Sequence, residues 1–188
     1  MQMAGFSLIA KLRNKIRVKP NNKIQIGKNT RIRYCDIYVN GNNNQLIIHD
    51  GANLKGVSIE LNGNNCLLEI GENCVIGENC FLSCRESGTK LVIGKECMFS
   101  RNVKLMTSDG HDILRDGKRI NPAKSIYIGS HVWLADNVTI LKGVHIGNDS
   151  IVGINSTLTK SIETNAIAVG NPAKVIQNNI NWEEKLTY

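Results

Sequence analysis

The sequence predicts an all-β fold, a triangular prism of hexapeptide coils, because of one repeating pattern between Ile126 and Ile162. Aliphatic residues recur there at every sixth position: Ile128, Leu134, Ile140, Ile146, Val152 and Leu158. A second series follows the first by four positions: Val132, Val138, Val144, Ser150, Ser156 and Ile162. An amphipathic helix would space its apolar residues three and four apart, so a period of six argues against a helix.

A short strand followed by a corner accounts for this period. Residues two apart in a strand share a side, so Val132 and Leu134 face inward while Trp133 between them faces outward. Small residues follow most of the inward aliphatics, namely Gly129, Ala135, Gly147 and Gly153. We expect these small residues to turn the corners, since glycine tolerates a positive φ. Three such units close a triangle, and the next coil stacks about 4.8 Å above it, as in a solenoid.

Looser coils precede the regular ones. Dipeptides beginning at Ile26, Ile48, Ile70 and Ile93 are separated by 22, 22 and 23 residues. The motif Asn-Gly-Asn-Asn occurs at 40–43 and again at 62–65, and both residue types accept left-handed turns. Each early coil is therefore predicted to contain three hexapeptides and a four-residue corner loop, which extends the β-helix over residues 21–177.

The two ends of the chain fall outside the repeats. Residues 1–20 form a predicted basic amphipathic helix, helical from 4 to 18, with these apolar residues on one side: Phe6, Leu8, Ile9, Leu12 and Ile16. One interpretation packs this helix against the first coil or a neighbouring subunit. The other places it in peripheral contact with an anionic membrane surface. Residues 178–188 form a C-terminal tail, in which the stretch from Trp182 to Leu186 predicts a short helix.

Composition narrows the class of protein. With 188 residues and 5% aromatic content, a single domain with a narrow aliphatic core is expected. No membrane-spanning apolar run or secretion signal occurs, so the expected location is cytoplasmic, or the inner face of the membrane if the helix binds lipid. Residues 1–33 hold nine Lys and Arg and no acid, which leaves a net charge of −2 elsewhere and argues against a nucleic-acid partner. Cys74, Cys80 and Cys97 occupy small inward positions as buried thiols, and no metal is expected.

A predicted loop at residues 106–125 interrupts the repeats. The register is lost after Leu105 and resumes at Ile126, and the residues between are polar and rich in turn formers. A loop this long in a compact domain is usually functional. It carries His111, whose imidazole titrates near neutrality and is a candidate general base. From the residues alone, an ordinary loop histidine remains the alternative.

The repeats and the segment Gly170-Asn171-Pro172-Ala173-Lys174-Val175-Ile176 together resemble the left-handed parallel β-helix acyltransferases. Within that family the sequence is most similar to the galactoside, maltose and capsular polysaccharide O-acetyltransferases. The resemblance covers residues 90–177 strongly and the earlier coils by pattern only. It implies a left-handed prism, acetyl-CoA as co-substrate, a sugar or polysaccharide acceptor, and a homotrimer with its active sites between subunits.

The same resemblance implies roles for individual residues. The pair Gly110-His111 matches the family motif that carries the catalytic base, and Trp133 is placed beside the reacting centre and the pantetheine arm. For Trp133, a purely structural contact between subunits is the alternative. Contacts to acetyl-CoA are implied for Ala135, Asp136, Gly153, Ile154, Thr159, Lys160 and Lys174, the two lysines serving its phosphates.

The acceptor pocket departs from the family pattern. Ser83-Cys84-Arg85 stands where galactoside-type enzymes carry an acceptor-binding asparagine. Arg101 and Arg115 are candidate acceptor contacts that would favour an anionic glycan, with a solvated basic face as the alternative. Asp109 and Asp112 flank His111, and either could orient the imidazole, with an ordinary surface turn carboxylate as the alternative. Asp109 is also a candidate acceptor contact. His131 and His145 are expected to be solvated.

The sequence therefore predicts an acetyl-CoA-dependent O-acetyltransferase that acts on a sugar hydroxyl, in a capsular or surface polysaccharide, with His111 as the base. An N-acetyltransferase that acts on a nucleotide-linked amino sugar is one alternative. A non-catalytic β-helix scaffold is the other.

Overall fold

The computed structural model describes residues 5–185. Within them one helix, α1 (Leu8–Arg13), precedes the strands. In chain order the strands are β1 (Lys15–Val18), β2 (Lys23–Ile26), β3 (Arg31–Arg33), β4 (Asp36–Asn40), β5 (Gln45–Ile48), β6 (Asn53–Lys55), β7 (Ser58–Asn62), β8 (Leu67–Ile70), β9 (Val75–Ile76), β10 (Phe81–Arg85), β11 (Lys90–Ile93), β12 (Met98–Phe99), β13 (Lys104–Met106), β14 (Leu114–Arg115), β15 (Lys118–Arg119), β16 (Ile126–Ile128), β17 (Trp133–Leu134), β18 (Thr139–Ile140), β19 (His145–Ile146), β20 (Ile151–Val152), β21 (Thr157–Leu158), β22 (Ala166–Gly170) and β23 (Ala173–Asn178).

Three parallel sheets form the faces of a prism. Face I contains β1, β4, β7, β10, β13, β18 and β21; face II contains β2, β5, β8, β11, β16 and β19. Face III contains β3, β6, β9, β12, β17, β20 and β22, and β23 closes it by pairing antiparallel with β22. The chain visits faces I, II and III in turn, so each strand pairs with the strand one coil later. The predicted all-β parallel β-helix is confirmed.

The interior of the prism is a column of aliphatic side chains. Leu105, Ile140 and Leu158 lie in register on successive strands of face I, and all three are buried. Cysteines fill the small inward positions, as predicted, and the six of them are buried and unoxidised. Burial raises the pKa of the Cys80 thiol to about 11, which suits a small hydrophobic side chain.

The prediction that the glycines turn the corners through a positive φ is wrong. The left-handed residue lies two positions after the glycine and is usually asparagine, as at Asn73 (φ 56°) and Asn137 (φ 61°). Gly94 has no positive φ, but a Cβ there would lie 2.6 Å from the carbonyl carbon of Gly129 in the next coil. These glycines are therefore required by the close stacking of consecutive coils, while the asparagines make the turn.

The predicted asparagine corner loops lie between faces I and II. Asn43 and Asn65 adopt left-handed conformations, with φ values of 56° and 57°. The buried Asn44 donates its side-chain amide to the carbonyl oxygens of Asn40 and Gly63, both at 2.9 Å. Amide side chains thus join one coil to the next along this corner of the prism.

The N-terminal helix is shorter than predicted. It ends at Arg13, and residues 15–18 already form β1, which pairs with β4 of the next coil. Asn14 explains the end: its side chain donates to the carbonyl oxygens of Ala10 (2.7 Å) and Ile32 (2.9 Å) and accepts from the amide of Cys35 (2.8 Å). No helix within residues 5–185 has the length and apolar character that crossing a bilayer requires.

The prediction of a helix near the C-terminus is also wrong for the residues that the structure describes. Residues 182–185 are not helical, and Leu186 lies outside the described residues. Strand β23 extends to Asn178, and Ile180 then exchanges two hydrogen bonds with Asn165 at a corner between faces II and III. The tail packs against that corner, which provides the tertiary contacts that an isolated short helix would lack.

Candidate active site

A long loop leaves the prism at the corner between faces I and II. Lys104 pairs with Thr139, 35 residues later, whereas Thr139 pairs with Thr157 after only 18 residues. The additional residues form the loop between β13 and β16, and its tip is the antiparallel hairpin of β14 and β15. Lys124 N donates to the carbonyl oxygen of Thr107 at 2.9 Å, which closes the base of the loop.

Asn121 organises the interior of this loop. It is buried, and its side-chain amide donates to the carbonyl oxygen of His111 at 2.9 Å and to Asp109 Oδ2 at 2.7 Å. Its side-chain oxygen accepts from the amide of Ile113 at 2.7 Å. The backbone on both sides of His111 is thus fixed by one side chain. Asn121 was not predicted as a functional residue, because in the sequence it is only a polar residue before a proline in a polar loop.

Lys142 ties the loop to the following coil. Its ammonium lies 2.5 Å from Asp109 Oδ2 and donates to the carbonyl oxygen of Asn121 at 2.9 Å. The hydrogen bond from Lys142 lowers the pKa of the Asp109 carboxyl, with a further contribution from Asn121. Asp109 is therefore a structural anion in this arrangement.

A second attachment joins the loop to the coil beneath it. Arg119 donates both terminal nitrogens to the carboxylate of Glu86 at 2.7 Å, and Ser108 Oγ donates to the same carboxylate at 2.5 Å. Hydrogen bonding from Arg119, followed by that from Ser108, lowers the pKa of Glu86 to about 2. Bidentate arginine–carboxylate pairs fix geometry as well as distance, so the loop is held on two sides.

His111 lies on the exposed part of this braced loop. Among residues 5–185 no group lies within hydrogen-bonding distance of its imidazole. The flanking acids are directed elsewhere: Asp109 contacts Lys142 and Asn121, while Asp112 lies 2.9 Å from Arg119 Nε. Neither aspartate contacts the ring, so the exposed imidazole of His111 has no hydrogen-bond partner in the described part of the chain.

Trp133 lies on face III, away from the corner that carries His111. Its indole nitrogen lies 3.3 Å from Ser100 Oγ, and its ring centroid lies 5.9 Å from that of Trp182 in the C-terminal tail. Trp133 was expected to be covered by a neighbouring subunit. Trp182 of the same chain therefore provides part of this contact. His111 and Trp133 are not brought together within one chain.

The expectation that His131 is solvated is wrong. The Trp182 ring stacks on its imidazole with a centroid separation of 4.2 Å and an interplanar angle of 5°. The Trp182 indole nitrogen also donates to the carbonyl oxygen of His131 at 2.8 Å, and Asp149 Oδ1 lies 2.9 Å from its ring. His145 is exposed, as expected, with an edge contact to Tyr127.

Five of the residues implied for acetyl-CoA lie along the corner between faces III and I. Ala135 and Asp136 follow β17, and Gly153 and Ile154 follow β20 directly above them. Lys174 is the second residue of β23, beyond the turn after β22. The N–H groups of Ala135 and Gly153 are already used, since they donate to Val152 and Ala168 of the next coil at 3.0 and 2.9 Å. Only their carbonyl oxygens are available for a ligand.

Two other implied residues, Thr159 and Lys160, follow β21 at the corner that carries the loop. Both are exposed. Within one chain the predicted cofactor residues therefore occupy two corners of the prism. Asp136 is paired with Arg101, whose guanidinium lies 2.7 Å away and lowers the pKa of that carboxyl.

The basic residues proposed for an acceptor differ in their environments. Arg101 is occupied by Asp136, while Arg115 is exposed on the hairpin. A cleft of about 350 Å³ opens beneath the loop beside His111. Its lining includes Arg85, Ser108, Gly110, Asp112 and Arg119. Arg85 is held by Glu60 at 2.9 Å, so two fixed guanidinium groups face this cleft.

The prism, its six-residue register and the loop define a class of protein. Residues 125–160 match the family described as bacterial transferase hexapeptide (six repeats). The chain is also 40% identical over 169 residues to a polysialic acid O-acetyltransferase of Neisseria meningitidis, a match that covers 88% of this chain and 77% of that protein. The chain belongs to the hexapeptide-repeat O-acetyltransferase family, and it is an acyltransferase.

A further relative and a solved structure are also acetyltransferases. A polysialic acid O-acetyltransferase of Escherichia coli O1:K1 / APEC is 36% identical over 137 residues, which cover 72% of this chain and 43% of the relative. The crystal structure of the polySia-specific acetyltransferase NeuO superposes with a TM-score of 0.76 at 32% identity, over 92% of this chain and 90% of that one. The left-handed β-helix predicted from the sequence is confirmed by these neighbours.

Proposed function

We propose that this protein transfers acetyl from acetyl-CoA to a hydroxyl group of a capsular polysaccharide of the polysialic acid type. The observation that carries the proposal is the 40% identity, along 88% of the chain, to a polysialic acid O-acetyltransferase. The braced histidine loop, which one side chain holds on both sides of His111, supplies a chemical reason.

His111 is the general base of the proposed reaction. Its imidazole accepts the proton of the acceptor hydroxyl as that oxygen attacks the thioester carbonyl. The carbon–sulfur bond then breaks, and coenzyme A leaves with the electron pair as a thiolate. This thiolate takes up the proton that the His111 imidazole had accepted. No side chain is acylated, so the protein positions the reactants and moves one proton. Fixing the His111 backbone through Asn121 serves this purpose, because small displacements of a catalytic group reduce rates strongly.

The acyl donor is proposed to bind along the corner between faces III and I. The carbonyl oxygens of Ala135 and Gly153 accept from the amide N–H groups of the pantetheine arm. Ile154, which is 60% exposed, gives this arm an apolar contact. Lys174, together with Thr159 and Lys160 of a second chain, meets the phosphates as point charges and a hydroxyl donor.

The active site is proposed to lie between two copies of the chain in a homotrimer. Support comes from the division of residues: His111, Thr159 and Lys160 lie at the corner between faces I and II, whereas Trp133 lies on face III and Asp136 at the corner between faces III and I. Placing these two edges side by side completes a groove that neither edge forms alone. Closed cyclic assemblies repeat such a heterologous contact with every subunit equivalent.

The acceptor is proposed to approach through the cleft beneath the loop. A polymer of sialic acid carries one carboxylate per sugar, and the Arg85 guanidinium, held by Glu60, lies at this cleft, where Arg119 is already paired with Glu86 and Asp112. The exposed Arg115 on the hairpin adds a further cation at its edge. Arginine recognises carboxylates through paired hydrogen bonds, so Arg85 and Arg115 are the groups proposed to favour an anionic glycan over a neutral sugar.

An acceptor comparison tests the proposal. Purified protein is incubated with labelled acetyl-CoA and one of three acceptors: polysialic acid, a neutral galactoside, or a nucleotide-linked amino sugar. Label is expected in polysialic acid as an alkali-labile ester. Transfer to the amino sugar alone, as an alkali-stable amide, would contradict the proposal. So would the absence of transfer to every acceptor combined with no thermal shift on addition of coenzyme A.

A further inference from the structure

The N-terminal end of the prism presents an apolar surface to solvent. The three aliphatic side chains of α1 are largely exposed: Leu8 79%, Ile9 62% and Leu12 86%. The helix has no buried residue. Isolated exposed aliphatics are common, but three on one short helix form a contiguous patch of the kind that marks an interaction site.

This helix is held firmly in its exposed position. Asn14 joins it to the first coil through hydrogen bonds to Ile32 and Cys35 of 2.9 and 2.8 Å, and the amide of Tyr34 donates to the carbonyl oxygen of Arg13 at 3.1 Å. Phe6, which precedes α1, packs against the core. The ends of the helix are therefore fixed, with Leu8 and Leu12 largely exposed to solvent and Ile9 partly exposed at the edge of a cavity beside the first coil.

The same end of the molecule is strongly basic. Residues 1–33 contain nine Lys and Arg and no acid. Within the described part of the chain, acidic partners are recorded for two of these nine, Lys15 and Arg17, which both contact Asp36. The remaining cations are Lys11, Arg13, Lys19, Lys23, Lys28, Arg31 and Arg33. All of these except the half-buried Arg33 are exposed to solvent.

A cavity of about 540 Å³ lies between α1 and the first coil, and Ser7, Arg13, Thr30, Arg31 and Arg33 contribute polar groups to its lining. Arg33 Nε is buried and has no hydrogen-bond partner among residues 5–185. An unsatisfied buried guanidinium nitrogen is costly unless an acceptor reaches it. A phosphate oxygen has the charge and the acceptor capacity that this position lacks.

We propose that this end of the prism docks on an anionic phospholipid surface, with Leu8, Ile9 and Leu12 inserted at the headgroup boundary. Aliphatic side chains surrounded by lysine and arginine are the composition of an interfacial helix. Each cation near such a surface adds to the electrostatic attraction. A second copy of the chain fits less well, because it would bring two clusters of uncompensated positive charge together. Nucleic acid would leave the aliphatic patch uncovered.

Vesicle co-sedimentation of the full chain tests this inference. One set of vesicles contains phosphatidylcholine alone, and the other contains phosphatidylcholine with phosphatidylglycerol. The wild-type protein is expected to bind only the anionic vesicles, and high salt should weaken the binding. The double variant Leu8→Ser/Leu12→Ser should lower the partition coefficient about tenfold or more, because two aliphatic insertions are lost. The variant Ile176→Ser, which changes an exposed isoleucine of β23, should bind as wild type does.

Two results would overturn the inference. The first is no difference between anionic and neutral vesicles for the wild-type protein. The second is a change in oligomeric state of the Leu8→Ser/Leu12→Ser variant by light scattering, which would make α1 a contact between subunits. Because the variant residues lie at an exposed end, circular dichroism should confirm that the variant keeps its fold.

Discussion

The side-chain amide of Asn121 donates to the backbone carbonyl oxygen of His111 at 2.9 Å and to the Asp109 carboxylate at 2.7 Å. One buried amide therefore joins Asp109 and His111, which precede the hairpin at the tip of the loop, to Asn121, which follows it. Asp109 in turn contacts Lys142 of the next coil, so the position of His111 is fixed relative to the prism. These contacts hold the loop in one position, and the first prediction concerns the loss of Asn121.

Replacing Asn121 with alanine should lower kcat about tenfold or more, because the carbonyl of His111 and the amide of Ile113 lose their shared partner. The affinity for coenzyme A should not change, since Asn121 contacts Asp109, His111, Ile113 and Lys142 and none of the residues proposed for the donor. Steady-state kinetics and a coenzyme A titration measure the two effects. Asn178→Ala, an exposed asparagine of β23, is the matched control. Equal losses in kcat and coenzyme A affinity would show general damage to the fold.

The pairing of Glu86 with Arg119 predicts a pH dependence of stability. The pKa of Glu86 is lowered from 4.5 to about 2 in the folded protein, mainly by Arg119. A lowered carboxyl pKa stabilises the fold above the unfolded value and loses this contribution as the pH falls toward the folded value. The melting-temperature difference between wild type and Glu86→Gln should therefore be constant from neutral pH to about 5 and shrink between about 4.5 and 2.

Thermal unfolding at a series of pH values measures this difference, with Glu72→Gln as the control. Glu72 is exposed and has no recorded ion pair within residues 5–185. A difference between wild type and Glu86→Gln that persists unchanged below pH 3 would show that the ion pair does not contribute through the charge of Glu86.

The coil-stacking role of glycine gives a third prediction. Gly94→Ala places a Cβ 2.6 Å from backbone atoms of Gly129, so the coils must separate locally. We expect a loss of about 1 to 3 kcal/mol in the free energy of unfolding, as for other overpacked sites. Denaturant unfolding measures it. Gly5→Ala is the control, because a Cβ there meets nothing within 4 Å. A loss at Gly94 no larger than at Gly5 would contradict the stacking argument.

The C-terminal tail gives a fourth prediction. Trp182 is 8% exposed, stacks on His131 and approaches Trp133, and the chain has two tryptophans. Trp182→Ala should therefore expose Trp133 and shift its fluorescence to longer wavelength. It should also cost about 2 kcal/mol or more of stability, since an aromatic stack and a buried indole are lost. Ile176→Ala on β23 is the control, and a Trp133 emission unchanged by Trp182→Ala would show that the tail does not cover it.

Much of this fold could be predicted because a hexapeptide repeat is a strong local signal. The inward series from Ile128 to Leu158, the asparagine corner loops and the position of the long loop all follow from spacing. The roles of the glycines could not be read correctly, because a sequence does not distinguish a positive φ from a close approach between coils. The N-terminal helix was overextended since the apolar spacing continues to Ile16, and only the tertiary contacts of Asn14 end it.

The candidate site was predictable only in part. His111 could be found from its place in a long polar loop, but Asn121, Lys142 and Glu86 depend on contacts across coils that no spacing indicates. The ion pair of Asp109 could not be predicted for the same reason, since its partner Lys142 lies on the following coil. Likewise, His131 looks like a surface histidine in sequence, and its burial depends on Trp182, which lies 51 residues later in the chain.

The most direct test of the proposed mechanism is the rate of acetyl transfer to polysialic acid by His111→Ala, measured beside His145→Ala. His145 is an exposed histidine on a regular coil and serves as the matched control. His111→Ala is expected to reduce kcat/KM by about 10² to 10⁴ while coenzyme A binding, followed by thermal shift, remains unchanged. Transfer by His111→Ala within a few-fold of wild type, or an equal loss in His145→Ala, would contradict the assignment of His111 as the base.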